Sequence, residues 1–192
     1  MTVIINGSGT ANGISFFSSP TTFGGTLATA TQGISTPSLP AGTILQVVNY
    51  QTGAVATGTG TIPIDDTIPQ NTEGTQFMSL AITPKSTTSK LKIDVIWMGS
   101  SNYAGAVNIG IALFQDSNAN ALAAQFSTAA AQNYRVTIPL TYYMASGTTS
   151  STTFYVRAGG GGAGTTTING YSGNREFGGV MASSITIIEI AA

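Results

Sequence analysis

The groups able to do chemistry in this chain are few: seven acids and six basic residues among 192, with no histidine and no cysteine. Without histidine the commonest general base and neutral metal ligand are missing. With cysteine also absent, neither a Ser–His nor a Cys–His nucleophile can be assembled. What remains is a pair of carboxylates straddling a glycosidic bond. Asp94 shares a strand face with lysines, Asp116 precedes the turn SNAN, and Glu189 sits among isoleucines. Asp65 and Asp66 are adjacent, so on an extended backbone they point to opposite sides. No acid has an evident catalytic partner, and the sequence predicts no enzymatic activity. Asp65, Asp66 and Glu73 are oxygen donors of the kind calcium prefers, but their spacing matches no cation-binding loop. They are read as solvated acids, and neither a metal nor a cofactor is expected.

Two loops hold better candidates for binding. GSSNYAG carries Asn102 and Tyr103, and NGYSGNREFGG carries Tyr171, Asn174, Arg175 and Phe177. Aromatic rings give contact area at low entropic cost, and amide and guanidinium groups beside them donate hydrogen bonds to a saccharide or a protein. These six residues are the candidate receptor contacts. The alternative for the same side chains is packing between copies of the chain. Trp97, between Ile96 and Met98, is expected in the core or an interface. The run AGGGGAG at 158 to 164 lacks the G-K-[ST] of a phosphate loop. It reads as a mobile surface loop, suited to recognition or to close packing of three chains.

The elements that must position these residues are strands. Charged residues make up 7%, against about 25% in ordinary domains, while 24 Gly and 7 Pro interrupt any long helix. Mean hydropathy of +0.23 with a net charge of −1 disfavours disorder. It also removes the electrostatic attraction on which nucleic-acid binding depends, so nucleic acid is not an expected partner. Neither a secretory leader at MTVIINGSGT nor an 18-residue apolar run is read, so membrane insertion is not expected.

Residues 1–40 hold only short apolar islands among Gly, Ser, Thr and Pro, and predict a segment that docks on a neighbouring chain or on other proteins. Residues 41–192 predict one β domain, with strands at 43–50, 75–83, 90–98, 106–115, 133–144, 152–158 and 184–190. In KLKIDVIWM, Leu91, Ile93 and Val95 face the core and Lys90, Lys92 and Asp94 face water. Pro139 implies an edge strand or a bulge. The Ala-rich stretch 119–132 admits a helical turn, but its place between two strands predicts strand and loop.

PAGTILQVVNYQTG at 40–53, SLAITPKSTTSKLKIDV at 79–95, TYYMASGTTSSTTFYVRA at 141–158 and the closing SSITIIEI at 183–190 resemble the C-terminal domains of bacteriophage tail-fibre and virion-appendage proteins. The resemblance covers most of residues 40–192, and I-T-P-K-S-x-x-S-K-L-x-I is its most specific piece. It implies an all-β, jelly-roll-like antiparallel sandwich with a short extended N-terminal segment, assembled as a homotrimer. It further implies a place on the phage particle surface, at the tail, with the N-terminal segment joined to tail or baseplate proteins. The domain would then meet a host glycan or protein receptor. The alternative is a collar, decoration or adaptor protein of the virion without host contact.

Overall fold

A computed structural model describes residues 39–192; the predicted docking role of the N-terminal segment falls on residues almost wholly outside them. The strands are β1 (Ile44–Thr52), β2 (Ala56–Gly58), β3 (Thr75–Ile82), β4 (Lys90–Ser101), β5 (Val107–Gln115) and β6 (Ala123–Ala129). They continue with β7 (Val136–Ala145), β8 (Thr152–Gly160), β9 (Thr166–Ile168), β10 (Gly170–Tyr171), β11 (Asn174–Arg175) and β12 (Ser183–Ile190). A single 3-10 turn at Phe177–Gly179 is the only helical element among the described residues.

Period-two patterning decides which side of each strand is buried. On β4, Leu91, Ile93, Val95 and Trp97 have essentially no exposure, while Lys90, Lys92, Asp94 and Ile96 alternate outward. Each such buried aliphatic contributes about 1.5–3 kcal/mol of transfer free energy. Trp97 is thus a core residue, its ring 6.3 Å from that of Phe77. The Ala-rich stretch is strand and turn: Ala123 to Ala129 form β6, paired with Leu113 to Val107 of β5.

The first sheet has β1, β12, β4 and β7 side by side, all antiparallel, with the short β9 and β2 continuing beyond the end of β12. The second runs β3, β8, β5, β6. Successive long strands therefore change sheets at every step except the β5–β6 hairpin, the order of a jelly roll. One core fills the space between them, with Ile93, Trp97 and Ile187 from one sheet and Ile111, Leu113 and Phe154 from the other. β7 pairs with β4 alone, which puts Pro139 on an edge strand as expected.

Part of the outer face of the second sheet, over β5 and β8, is itself covered. Residues 59–74 fold down over it, burying Ile62 against Ala112 and Phe114. The segment is held by Arg157, which donates to the carbonyls of Glu73 (2.6 Å) and Gly74 (2.8 Å). This covering explains the first half of the glycine run, which is strand and not loop, while residues 161–164 form the connection to β9. Gly159 and Gly160 are buried in β8, paired with β5, and a Cβ at Gly159 would lie 2.3 Å from the carbonyl oxygen of Gly60. Glycine is required there by the approach of another backbone.

The connections 83–89, 116–122 and 146–151 gather at one end of the sandwich. The chain enters β1 and leaves β12 at that same end, where Gly42 N–H donates to Ala191 and Ala191 N–H donates to Thr43 (both 2.8 Å). Glu189 closes it. Its fully buried carboxylate accepts from the N–H groups of Lys85 (2.8 Å) and Ser86 (3.2 Å), from Ser89 Oγ (2.6 Å) and from Gln46 Nε2 (2.5 Å). The T-P-K-S-x-x-S sequence is the turn that supplies most of those donors.

Candidate functional site

The connections at the opposite end are 53–74, 102–106, 130–135 and 161–182, so the sheet topology brings both candidate loops to one place. The second of them is rooted at Asn169, in the left-handed region at φ 55 and fully buried. Its amide donates to the carbonyls of Thr52 (2.7 Å) and Ala54 (3.0 Å), and its oxygen accepts from Ser183 Oγ (2.7 Å). Ser183 in turn accepts the N–H of Met98 (2.9 Å), so one polar cluster joins the ends of β1, β4, β9 and β12.

Residues 132 and 133 lie between the two loops and bind each. Gln132 Nε2 donates to the carbonyl of Asn102 (2.8 Å), and Asn133 Oδ1 accepts from Ser172 Oγ (2.9 Å). On the first loop, Asn102 is occupied internally: its side-chain oxygen accepts from Thr165 N–H (2.6 Å). Tyr103 lies across Gly162, where a Cβ would come within 2.8 Å of the ring. With Ile64, Ala106, Asn108 and Gly161 it borders an open hollow of about 300 Å³.

On the second loop, β10 and β11 form a hairpin turning at Ser172 and Gly173 (φ 47 and 78), the two positive angles a type I′ turn needs. Asn174 pairs with Tyr171 and Arg175 with Gly170. The Tyr171 ring lies 4.1 Å from the guanidinium carbon of Arg135, a cation–π contact. Arg135 also forks onto Glu176, with Nε–Oε2 at 2.9 Å and Nη2–Oε1 at 2.5 Å. That bidentate bond holds the Glu176 carboxyl below the usual glutamate range and pushes the Arg135 guanidinium up. Arg175 is exposed and has no carboxylate within salt-bridge distance among the described residues.

Phe177 follows at φ 47, 77% exposed, and Val180 is 83% exposed. A left-handed aromatic residue costs free energy that surrounding contacts must offset. Here Glu176 is tied to Arg135, and Gly179 is so close to Gly53 that no Cβ fits between the two backbones. The turn is thereby held with its apolar side chains facing water.

Of the six candidates, Tyr103, Arg175 and Phe177 are exposed and Tyr171 is half-buried against Arg135, whereas the Asn102 side chain shapes its loop and that of Asn174 bonds weakly to Ser172 (3.3 Å). Arg135 and the exposed Tyr134 were missed because residues 133–144 read as one strand, and Glu176 because its partner Arg135 lies 41 residues earlier. β7 begins only at Val136, leaving Tyr134 and Arg135 in the connection. Two of the three loop acids are spent on local hydrogen bonds. Asp65 accepts from Thr67 N–H (2.8 Å) and Oγ (2.5 Å), which lowers its pKa, and Glu73 accepts from Gln70 N–H (2.9 Å). No metal-binding cluster of acids occurs among the described residues. The loop end thus offers rings, a free guanidinium and amides: groups for stacking and hydrogen bonding, without an acid–base pair.

No family model and no curated protein matches the chain. Among solved structures, the CBM22-1 xylan-binding domain of Xyn10C from Paenibacillus barcinonensis aligns at 13% identity and a TM-score of 0.34, over 80% of this chain and 99% of that one. The VP2 subviral particle of infectious bursal disease virus aligns at 13% identity and a TM-score of 0.29, over 78% of this chain and 39% of that one. The Gx strain of the same virus aligns at 14% identity and 0.31, over 77% and 37%. The chain therefore spans well under half the length of the viral chains. The fold rests on its own strand pairings, an antiparallel jelly-roll sandwich.

Proposed function

We propose that this chain is a structural protein of a bacteriophage virion, a short tail fibre or tail-tip component that forms a homotrimer and meets a host surface glycan or protein receptor. The observation that carries this reading is polarity along the sandwich. The chain enters at the end closed by Glu189, while Tyr103, Arg175 and Phe177 are exposed at the other, beside the half-buried Tyr171. A protein tethered by its N-terminal segment and touching a surface at its far tip needs that arrangement. Trimerisation suits weak individual contacts, because linked sites raise the effective concentration of the second and third binding events. The reading assigns no catalytic step.

A reconstruction of the intact particle tests it. The expected result is a tail appendage whose loop end points away from the particle into solvent. A map with the loop end buried against other virion proteins would replace it with the collar, decoration or adaptor reading.

A further inference from the structure

We infer that the open hollow beside Tyr103 is a subsite for one neutral pyranose unit of a glycan. The inference rests on the host-glycan side of the proposed function and names the sugar chemistry that the site takes. The hollow, about 300 Å³, lies where the connection 102–106 meets residues 161–162, with Ile64 of the covering segment at its rim. Its wall is the Tyr103 ring, 36% exposed, and that ring is placed before any ligand arrives. Asn102 ahead of it is tied down twice, its side-chain oxygen accepting from Thr165 N–H (2.6 Å) and its carbonyl from Gln132 (2.8 Å). The ring itself rests on Gly162, where a Cβ would crowd it at 2.8 Å. A side chain already ordered loses little entropy on binding.

The remaining lining offers donors and no charge. Asn108 Oδ1 accepts from Thr128 Oγ1 (2.7 Å), which fixes the amide and leaves its NH2 group to donate. Gly161 N–H is spent on the Asn108 carbonyl (2.8 Å), but Gly162 N–H has no protein acceptor among the described residues. Ile64, which a Cβ at Gly161 would approach to 3.2 Å, adds an aliphatic wall. No ionisable acid or base lines the hollow, and the residue that follows Ile64 is the acid Asp65.

A ring, an aliphatic wall and amide donors select among ligands by what each leaves unpaired. A pyranose sets an apolar C–H face on the ring and carries hydroxyl and ether oxygens around its rim to accept from the amides. An aliphatic peptide side chain would use the ring and Ile64 but take the amides out of water without giving them acceptors. An acidic sugar would find no cation, and a carboxylate one residue beyond the rim. Because the hollow is open, the sugar it holds can be one unit of a longer chain. Such a contact is weak alone, and its repetition in three copies raises the avidity.

The isotope-labelled full-length chain can be titrated with the methyl glycosides of glucose, galactose, mannose and N-acetylglucosamine, and with methyl glucuronoside as the acidic arm, while its amide signals are followed by NMR. The expected result is that at least one neutral glycoside shifts the amides of Ala106, Gly161 and Gly162, and that the glucuronoside binds more weakly. Tyr103→Phe should keep the binding. Tyr103→Ala, and Gly162→Ala, which pushes the ring aside, should weaken it about tenfold with unchanged circular dichroism. No shift at these amides with any neutral glycoside, tighter binding of the glucuronoside, or full binding by Tyr103→Ala would overturn the subsite. Binding of the same protein to host cells separates this from the wider reading. A chain that binds cells without those shifts loses the subsite and keeps the receptor role, whereas one that shows the shifts but binds no cells keeps the subsite and loses the host contact.

Discussion

At the end where the chain enters, a buried carboxylate takes four neutral donors, and the connections are short and polar. At the far end, Asn169 anchors a set of longer connections whose outermost residues are aromatic or cationic and stay in water. Both ends are organised by one buried polar side chain, yet they differ in what is left over. Glu189 uses its donors to seal the turn around it. Asn169 fixes only the root, leaving Tyr171, Arg175 and Phe177 displayed above. A buried group must satisfy its hydrogen bonds locally, so the difference lies in chain length beyond the anchor and not in the chemistry of the anchor.

Removing the two anchors should therefore be costly, and altering the display should not. Glu189→Ala should have the largest effect, about 3 kcal/mol in urea unfolding, because it strands buried N–H and hydroxyl donors. Glu189→Gln should cost less, since its side-chain oxygen can still accept some of them. Asn169→Ala should cost about 2 kcal/mol by the same measure, and should additionally loosen hydrogen-exchange protection in residues 170–182. If Asn169→Ala left those amides as protected as before, Asn169 would not be the root of that loop.

Charge at the loop end should matter less for stability. Arg135 and Glu176 are partly exposed, so their pair is worth less than about 1 kcal/mol. Because pairing lowers the Glu176 pKa, its contribution is present above the ordinary glutamate range and is lost as pH falls through the lowered value. The melting temperature of wild type relative to Glu176→Gln should thus be flat from neutral to mildly acidic pH and converge only in stronger acid. Convergence already near neutrality would mean that the pair is absent in solution. Smallest of all, Phe177→Ala should shift stability by no more than about 0.5 kcal/mol, as expected for an exposed position.

The strands that build both sheets were legible because alternation is a local signal: Leu91, Ile93 and Val95 declare the buried face of β4 without reference to any other strand. Pro139 declared an edge for the same reason. What escaped depends on partners distant in sequence. Glu189 looked like a stray acid among isoleucines, since its donors lie about a hundred residues earlier. Arg135 looked like part of a strand, since Glu176 and Tyr171 are brought to it only by the fold. The glycine run suggested mobility because glycine permits it, whereas Gly159 is there for the passage of Gly60. The shared location of the two loops follows from the order of strands, which neither loop encodes.

Binding of the purified chain to cells of the phage's host, compared with the combined variant Tyr171→Ala, Arg175→Ala, Phe177→Ala at equal trimer content, tests the functional reading most directly. The account predicts that wild type binds and blocks phage adsorption, while the variant, equally stable, does neither. Undiminished binding by that variant would contradict it.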